Sequence, residues 1–77
     1  KADVIVTNPT HIAVALRYDP QTMAAPQLIA KGSGAIAEKI KEIAREHAIP
    51  VMENKPLARA IFKTLKIGQT IPRELFT

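Results

Sequence analysis

In the stretch Thr7-Asn8-Pro9-Thr10-His11, one side chain carries an amide nitrogen within reach of its own main-chain carbonyl. The Asn8 amide can attack that carbonyl, close a five-membered succinimide and expel the nitrogen of residue 9. In most sequences a different ring closure competes, in which the following backbone N–H attacks the asparagine side chain and deamidates it. Pro9 has no N–H, so that route is closed and backbone cleavage between residues 8 and 9 remains. Nucleophile and electrophile share one residue, so only the reactive rotamer has to be held. Cleavage within about ten minutes corresponds to a barrier of about 21 kcal/mol. That is slow for an enzyme but fast for a peptide bond, so a fold that permits it must remove part of the barrier.

Three residues after Asn8 comes His11, the nearby side chain whose imidazole can accept or donate a proton. It could polarise or deprotonate the amide, or hold the turn by hydrogen bonding. Thr10 could fix the loop through its hydroxyl. The plainer reading of the same residues is an inert Asn-Pro turn followed by a polar strand start. Proline in the middle of Asn8-Pro9-Thr10 excludes N-glycosylation.

These residues need elements to place them. Asp3 to Thr7 is apolar and β-branched at its centre, the pattern of a strand covered on both faces. Residues 11–19 make a second strand candidate that ends at Asp19-Pro20, and 20–26, bracketed by prolines, reads as a loop. A third strand is expected at 27–31, closed by Gly32. Ile36, Ile40, Ile43 and Ala44 recur at helical spacing over 35–47, opposite a charged face, with Ser33 as N-cap and Pro50 just past the end. Pro50 to Glu53 reads as a fourth strand. A second helix follows, with Pro56 in its first turn, Leu57, Ile61 and Leu65 on its apolar face and Gly68 at its exit. Thr70-Ile71-Pro72 opens one more helical turn. The order predicts an α/β fold, a small mixed four-stranded sheet with helices packed around it, in which 27–53 forms a parallel β-α-β unit.

Composition bounds the function. The chain has 77 residues, 47% of them hydrophobic, and reads as one domain (1–77) excised from a longer protein. It has no cysteine, which suits a reducing compartment and removes disulfides and thiolate metal sites. His11, His47 and scattered carboxylates do not form a metal-ligand pattern, so no metal is expected, and His47 reads as structural. The longest apolar run, Ile12 to Leu16, is far too short to cross a bilayer. Net charge is +4, but the aromatic residues are only Tyr18, Phe62 and Phe76, too few for base stacking, so nucleic acid is not the expected partner. Lys55, Arg59, Lys63 and Lys66 fall within about 80° of a helical wheel, and no acidic residue lies between Glu53 and Glu74. That stripe is either a solvated face or a dock for an acidic partner. Gly32-Ser33-Gly34-Ala35-Ile36-Ala37 fits a dinucleotide fingerprint on paper, yet the chain is too short for the usual pair of nucleotide-binding halves, and no cofactor is expected.

The segment "NPTH", flanked by "DVIVT" and "IAVALRYD", resembles the self-cleaving cytoplasmic domain of the FlhB/YscU family of type III secretion and flagellar export proteins. "MAAPQLIAKGSGAIAEKIKEIA", "IPVMENKPLARAIF" and "IGQTIPRELF" are similar to the same family in the same order, so the likeness covers nearly the whole chain. "NPTH" and "PLARA" at this separation are a specific pair. The resemblance implies that Asn8 cyclises, Pro9 leaves, and Thr10 and His11 support the turn. Ile12 departs from the aromatic residue that flagellar members often carry there, whereas "AKGSG" and "IGQTIP" look flagellar.

The resemblance further implies four helices around the four-stranded sheet and a membrane-anchored full-length protein on the cytoplasmic side of the bacterial inner membrane. Its implied partners are export substrates, other export-gate components and a hook- or needle-length-control protein. Cleavage would let the export gate change substrate class. This is single-turnover autoproteolysis, with no substrate in trans. The alternative is a small nucleotide- or nucleic-acid-binding module whose Asn-Pro turn is inert.

Overall fold

Val4, Ile5 and Val6 place apolar side chains alternately on the two faces of one strand, and both faces are covered. In the computed structural model, which describes residues 2–75, this strand is β1 (Val4–Asn8). It is followed by β2 (Ile12–Arg17), β3 (Gln27–Ser33), α1 (Ala35–Glu46), β4 (Val51–Glu53), α2 (Lys55–Thr64) and a 3-10 turn at Arg73–Leu75. The sheet order is β3-β2-β1-β4, with β1 antiparallel to β2 and parallel to β4, and β2 antiparallel to β3. A mixed four-stranded sheet with helices packed around it is the architecture the sequence predicts, and in the structure each face carries one α-helix.

The two faces carry two cores. Val6, Val14, Leu16 and Leu28 meet Ala58, Ile61 and Leu65 of α2 and its exit, with Ile71 closing the edge. Ile5, Ala13 and Ala15 meet Ala37 and Ala44 of α1 on the other face. Small residues on both sides of the second interface let the helix lie close to the sheet.

Several expectations are corrected in detail. The 27–53 unit does join strands running the same way, but β3 and β4 sit at opposite edges, and β4 pairs with β1. Helix α1 therefore carries the chain past two intervening strands. Its inner stripe is the buried Ala37 and Ala44 with the partly buried Ile40, whereas Ile36 and Ile43 are exposed. Ser33 is not the N-cap, because it still pairs with Ile12 in the sheet. Gly34 takes that position at φ 58°, a conformation glycine adopts without the Cβ penalty. The helical turn expected from Thr70 is the 3-10 turn instead, and Phe76 and Thr77 lie outside the described residues. Two α-helices are present among the described residues, against the four that the resemblance implies.

Gly32 is required for a different reason. A Cβ there would run into the Ile36 side chain, coming within 2.8 Å of its Cβ. Both groups sit on backbone fixed by β3 and α1, so neither yields cheaply. Gly32→Ala is expected to destabilise the domain by about 1–3 kcal/mol, read as a lower urea midpoint with unchanged slope.

Helix α2 stops at Thr64, short of Gly68, because Leu65 is extended and a side chain from β3 takes over its last carbonyls. The half-buried Lys31 donates from Nζ to Phe62 O at 3.0 Å and Leu65 O at 2.8 Å, and lies 5.2 Å from the Phe62 ring centroid. A cation at a helix C-terminus with two charge-assisted bonds is a favourable pairing. Lys31→Met is expected to cost about 2 kcal/mol, measured by thermal unfolding.

Candidate functional site

The hairpin between β1 and β2 closes on the Asn8–Ile12 pair, leaving Pro9, Thr10 and His11 as its loop. Proline suits the second position of such a turn because its φ is already set. The His11 N–H donates to the Asn8 carbonyl oxygen at 3.0 Å. That bond defines the turn, and it also points a donor at the atom on which negative charge would develop during attack at the Asn8 carbonyl carbon. The distance is one at which such a donor stabilises an oxyanion.

Asn8 itself is 9% exposed. Its side-chain amide makes no hydrogen bond to the described residues, and it is not sealed from solvent. The nucleophile of the proposed ring closure is thus largely buried without being tied to a competing partner among the described residues. Thr10 Oγ1 and His11 Nδ1 share a hydrogen bond across the loop, which fixes the ring relative to the turn.

Each flank of the Asn8–Pro9 bond is anchored to a different helix. Upstream, the Thr7 carbonyl accepts from the Asn54 N–H at 2.9 Å, and the Asn54 side chain accepts from Leu57 N–H, capping α2. Downstream, the His11 carbonyl accepts from the Gly34 N–H at 3.1 Å, and the Pro9 carbonyl accepts from Lys41 Nζ at 3.2 Å. Lys41 is also paired with Glu38 at 2.8 Å. That hydrogen bond, with the charge of Lys41 behind it, holds the exposed Glu38 carboxyl below its ordinary range, and Arg45 adds a smaller contribution. The carboxylate therefore favours the native state above its unfolded-state pKa. This contribution fades as pH falls through the lowered native value.

Beside the turn lies an open cleft of about 400 Å³ lined by Asn8, His11, Ile12, Arg59, Phe62 and Lys63. Ile12 and Phe62 supply apolar lining, and Arg59 and Lys63 bring positive charge from α2. The four turn residues read from the sequence, Asn8, Pro9, Thr10 and His11, are together. Of the basic stripe, only Arg59 and Lys63 reach the cleft. Lys55 is exposed and does not line it. Lys66 lies past the helix end, where its backbone N–H donates to Gln69 Oε1 at 2.7 Å, so it does not belong to the helical stripe.

Other signals resolve locally. The Gly34 N–H of the glycine-rich segment, the kind of donor a phosphate would need, is committed to His11. His47 donates from its ring to the Ile43 carbonyl at 3.0 Å, a helix-end role. Among the described residues, no three His, Cys, Asp or Glu side chains come together as a metal site.

The sequence reading missed the His11 main-chain donor, the Gly34 tether and Lys41. The first two follow only from the closed hairpin and its neighbour. Lys41 did carry a signal, since it falls between Ala37 and Ala44 on what proves to be the inner stripe of α1.

Flagellar biosynthetic protein FlhB of Salmonella typhimurium is 57% identical over 76 residues, covering 99% of this chain. FlhB of Bacillus subtilis is 53% identical over the same span. The chain spans about a fifth of the length of these relatives. Among solved structures, the cytoplasmic domain of FlhB from Shewanella putrefaciens superposes with a TM-score of 0.90 at 54% identity, covering 99% of this chain and 58% of that one. A mutated EscU C-terminal domain superposes with a TM-score of 0.92 at 41% identity, covering 99% and 70%. The match to the family described as FlhB HrpN YscU SpaS runs over residues 1–77, and this chain, with that family's sheet and helix arrangement, belongs to it.

Proposed function

We propose that this chain is the cytoplasmic part of a protein-export apparatus component that cuts itself once, between Asn8 and Pro9, and that the cut helps set which class of substrate is exported. The observation that carries the cleavage reading is the His11 N–H at 3.0 Å from the Asn8 carbonyl oxygen, beside an Asn8 amide that has no competing partner among the described residues. In the step itself, Asn8 Nδ2 bonds to the Asn8 carbonyl carbon and the carbon–nitrogen bond to Pro9 breaks. One amide proton ends on the Pro9 nitrogen. The products are a C-terminal succinimide on Asn8 and a free imino group on Pro9.

Likeness to flagellar FlhB proteins supports a place in flagellar export. The whole protein would then be anchored at the bacterial inner membrane, with this part on the cytoplasmic side. No helix among the described residues is long and apolar enough to cross a membrane, so such an anchor would lie in other sequence. Export substrates, other gate components and a length-control protein are the partners this reading entails. Arg59 and Lys63 in the cleft are the basic positions best placed to meet them.

Intact mass under denaturing conditions tests the chemistry. Cyclisation yields fragments 1–8 and 9–77 whose masses sum to that of the whole chain, and one water is gained later when the succinimide hydrolyses. Immediate gain of that water would instead indicate direct hydrolysis. A folded chain that stays whole at neutral pH would leave only the inert-turn reading.

A further inference from the structure

We infer that Lys41 is a positioning residue for the Asn8–Pro9 cleavage, acting from α1 on the carbonyl of the leaving residue. The inference rests on the cleavage reading and adds to it a group outside the Asn-Pro-Thr-His turn.

Lys41 is in an unusual place for a lysine. Ala37 and Ala44, four residues before and three after it, are buried against the sheet, so Lys41 belongs to the same inward stripe. Its side chain is 17% exposed, whereas that of Glu38 is 67% exposed and that of Lys39 69%. An ordinary surface lysine extends into water to keep its rotamer freedom. Here the stem is folded down, and the ammonium emerges between the Glu38 carboxylate at 2.8 Å and the Pro9 carbonyl at 3.2 Å. A plain ion pair with Glu38 would not require this path, because both side chains could meet in solvent along the helix exterior.

The contact falls on the half of the turn that leaves. The acyl half is held by the hairpin bond at Asn8 and by Asn54 at Thr7. The leaving half is held by Gly34 at His11 and by Lys41 at Pro9. For ring closure, Nδ2 must approach the face of the Asn8–Pro9 amide, so that plane must stay still while the side chain rotates. Pinning Pro9 from α1 restrains the plane from the side that the β1–β2 pairing does not control. The ammonium also places positive charge within one residue of the carbonyl that becomes an oxyanion. Both effects depend on a long cationic donor at position 41.

Cell-free synthesis of the chain, with the cleaved fraction followed by denaturing gel and intact mass, gives the rate without prior cleavage. Lys41→Met keeps the apolar stem and is expected to slow cleavage about tenfold or more. Lys41→Arg, which keeps charge and donor, should stay within about threefold of the unsubstituted chain. Glu38→Gln, at an exposed position where the fold is expected to survive, should slow cleavage about two- to fivefold by loosening the anchor. In the uncleavable Asn8→Ala chain, the carbonyl carbon resonance of Pro9 should move with Lys41→Met and hold with Lys41→Arg. Movement of this signal reports loss of the Lys41–Pro9 contact, and a matching loss of cleavage that Lys41→Arg restores ties that contact to the reaction.

Cleavage of Lys41→Met and Glu38→Gln at the unsubstituted rate, while Asn8→Ala stays whole, overturns the role of Lys41 and spares the cleavage reading. An unsubstituted chain that never cleaves overturns both.

Discussion

Replacing Asn8 by alanine is expected to leave the chain whole, with the rate of breakage after residue 8 reduced at least about a thousandfold, or about 4 kcal/mol of barrier. The effect is this large because the substitution removes the nucleophile itself. The remaining routes need an external water, which must pay the entropy that the Asn8 side chain avoids by being attached to its own electrophile. Folding should survive. The Asn8 side chain makes no hydrogen bond to the described residues, and the turn bond from His11 uses the backbone carbonyl, which alanine retains. A stability change within about 1 kcal/mol is therefore expected. Intact mass over days at neutral pH is the measurement, with circular dichroism confirming the fold. Breakage of the alanine chain between residues 8 and 9 at the unsubstituted rate would remove Asn8 from the chemistry.

The geometry separates the two possible contributions of His11. Its main-chain N–H reaches the Asn8 oxygen in any variant that keeps the hairpin, whereas its ring is tied to Thr10 through Nδ1. This geometry puts the backbone donor directly on the Asn8 carbonyl, where the proposed ring closure would occur. It assigns the ring a place in the loop.

Much of this arrangement can be read from the chain because it is encoded locally. The Asn8-Pro9 turn, the strand through Val4, Ile5 and Val6, and the two amphipathic helices each follow from residues that are close in sequence. What escapes such reading is set by contacts between distant segments. Nothing in Pro50 to Glu53 says that it will pair with β1 and not with β3, since the parallel register Ile5–Val51, Val6–Met52 and Thr7–Glu53 is a choice made by the assembled sheet. The end of α2 is hidden for a similar reason, because Lys31 reaches it from another strand. Ile36 and Ile43 outrank Ala37 on any hydrophobicity scale, yet the alanines win the inner face because close approach to Ala13 and Ala15 needs small side chains. That exchange is also what turns Lys41 inward, so the error about the helix face and the oversight of Lys41 share one cause.

The position of β1 in the sheet makes a second large effect predictable: after cleavage, the fragment ending at Asn8 is expected to stay bound. β1 is an interior strand, paired over five positions with β2 and three with β4, so neither of its edges is open. Ile5 is 2% exposed and Val6 is fully buried, on opposite faces, so both cores must open to release it. Burial of these two side chains is worth about 3–6 kcal/mol, and the ladder bonds add about 1 kcal/mol each. Breaking the bond after residue 8 costs none of these contacts; it removes only the tether. Denaturing electrophoresis should therefore show two pieces while size-exclusion chromatography at micromolar concentration shows one species, corresponding to a dissociation constant below about 1 μM. Val6→Asp should reverse this outcome, because an unpaired carboxylate between Val14 and Ile61 costs several kcal/mol. In that variant the pieces should separate or the domain should unfold. If the unsubstituted fragments elute separately under native conditions, cleavage would sever the protein; if they co-elute, the cut frees the Pro9–His11 loop while β1 keeps whatever precedes it attached to the domain.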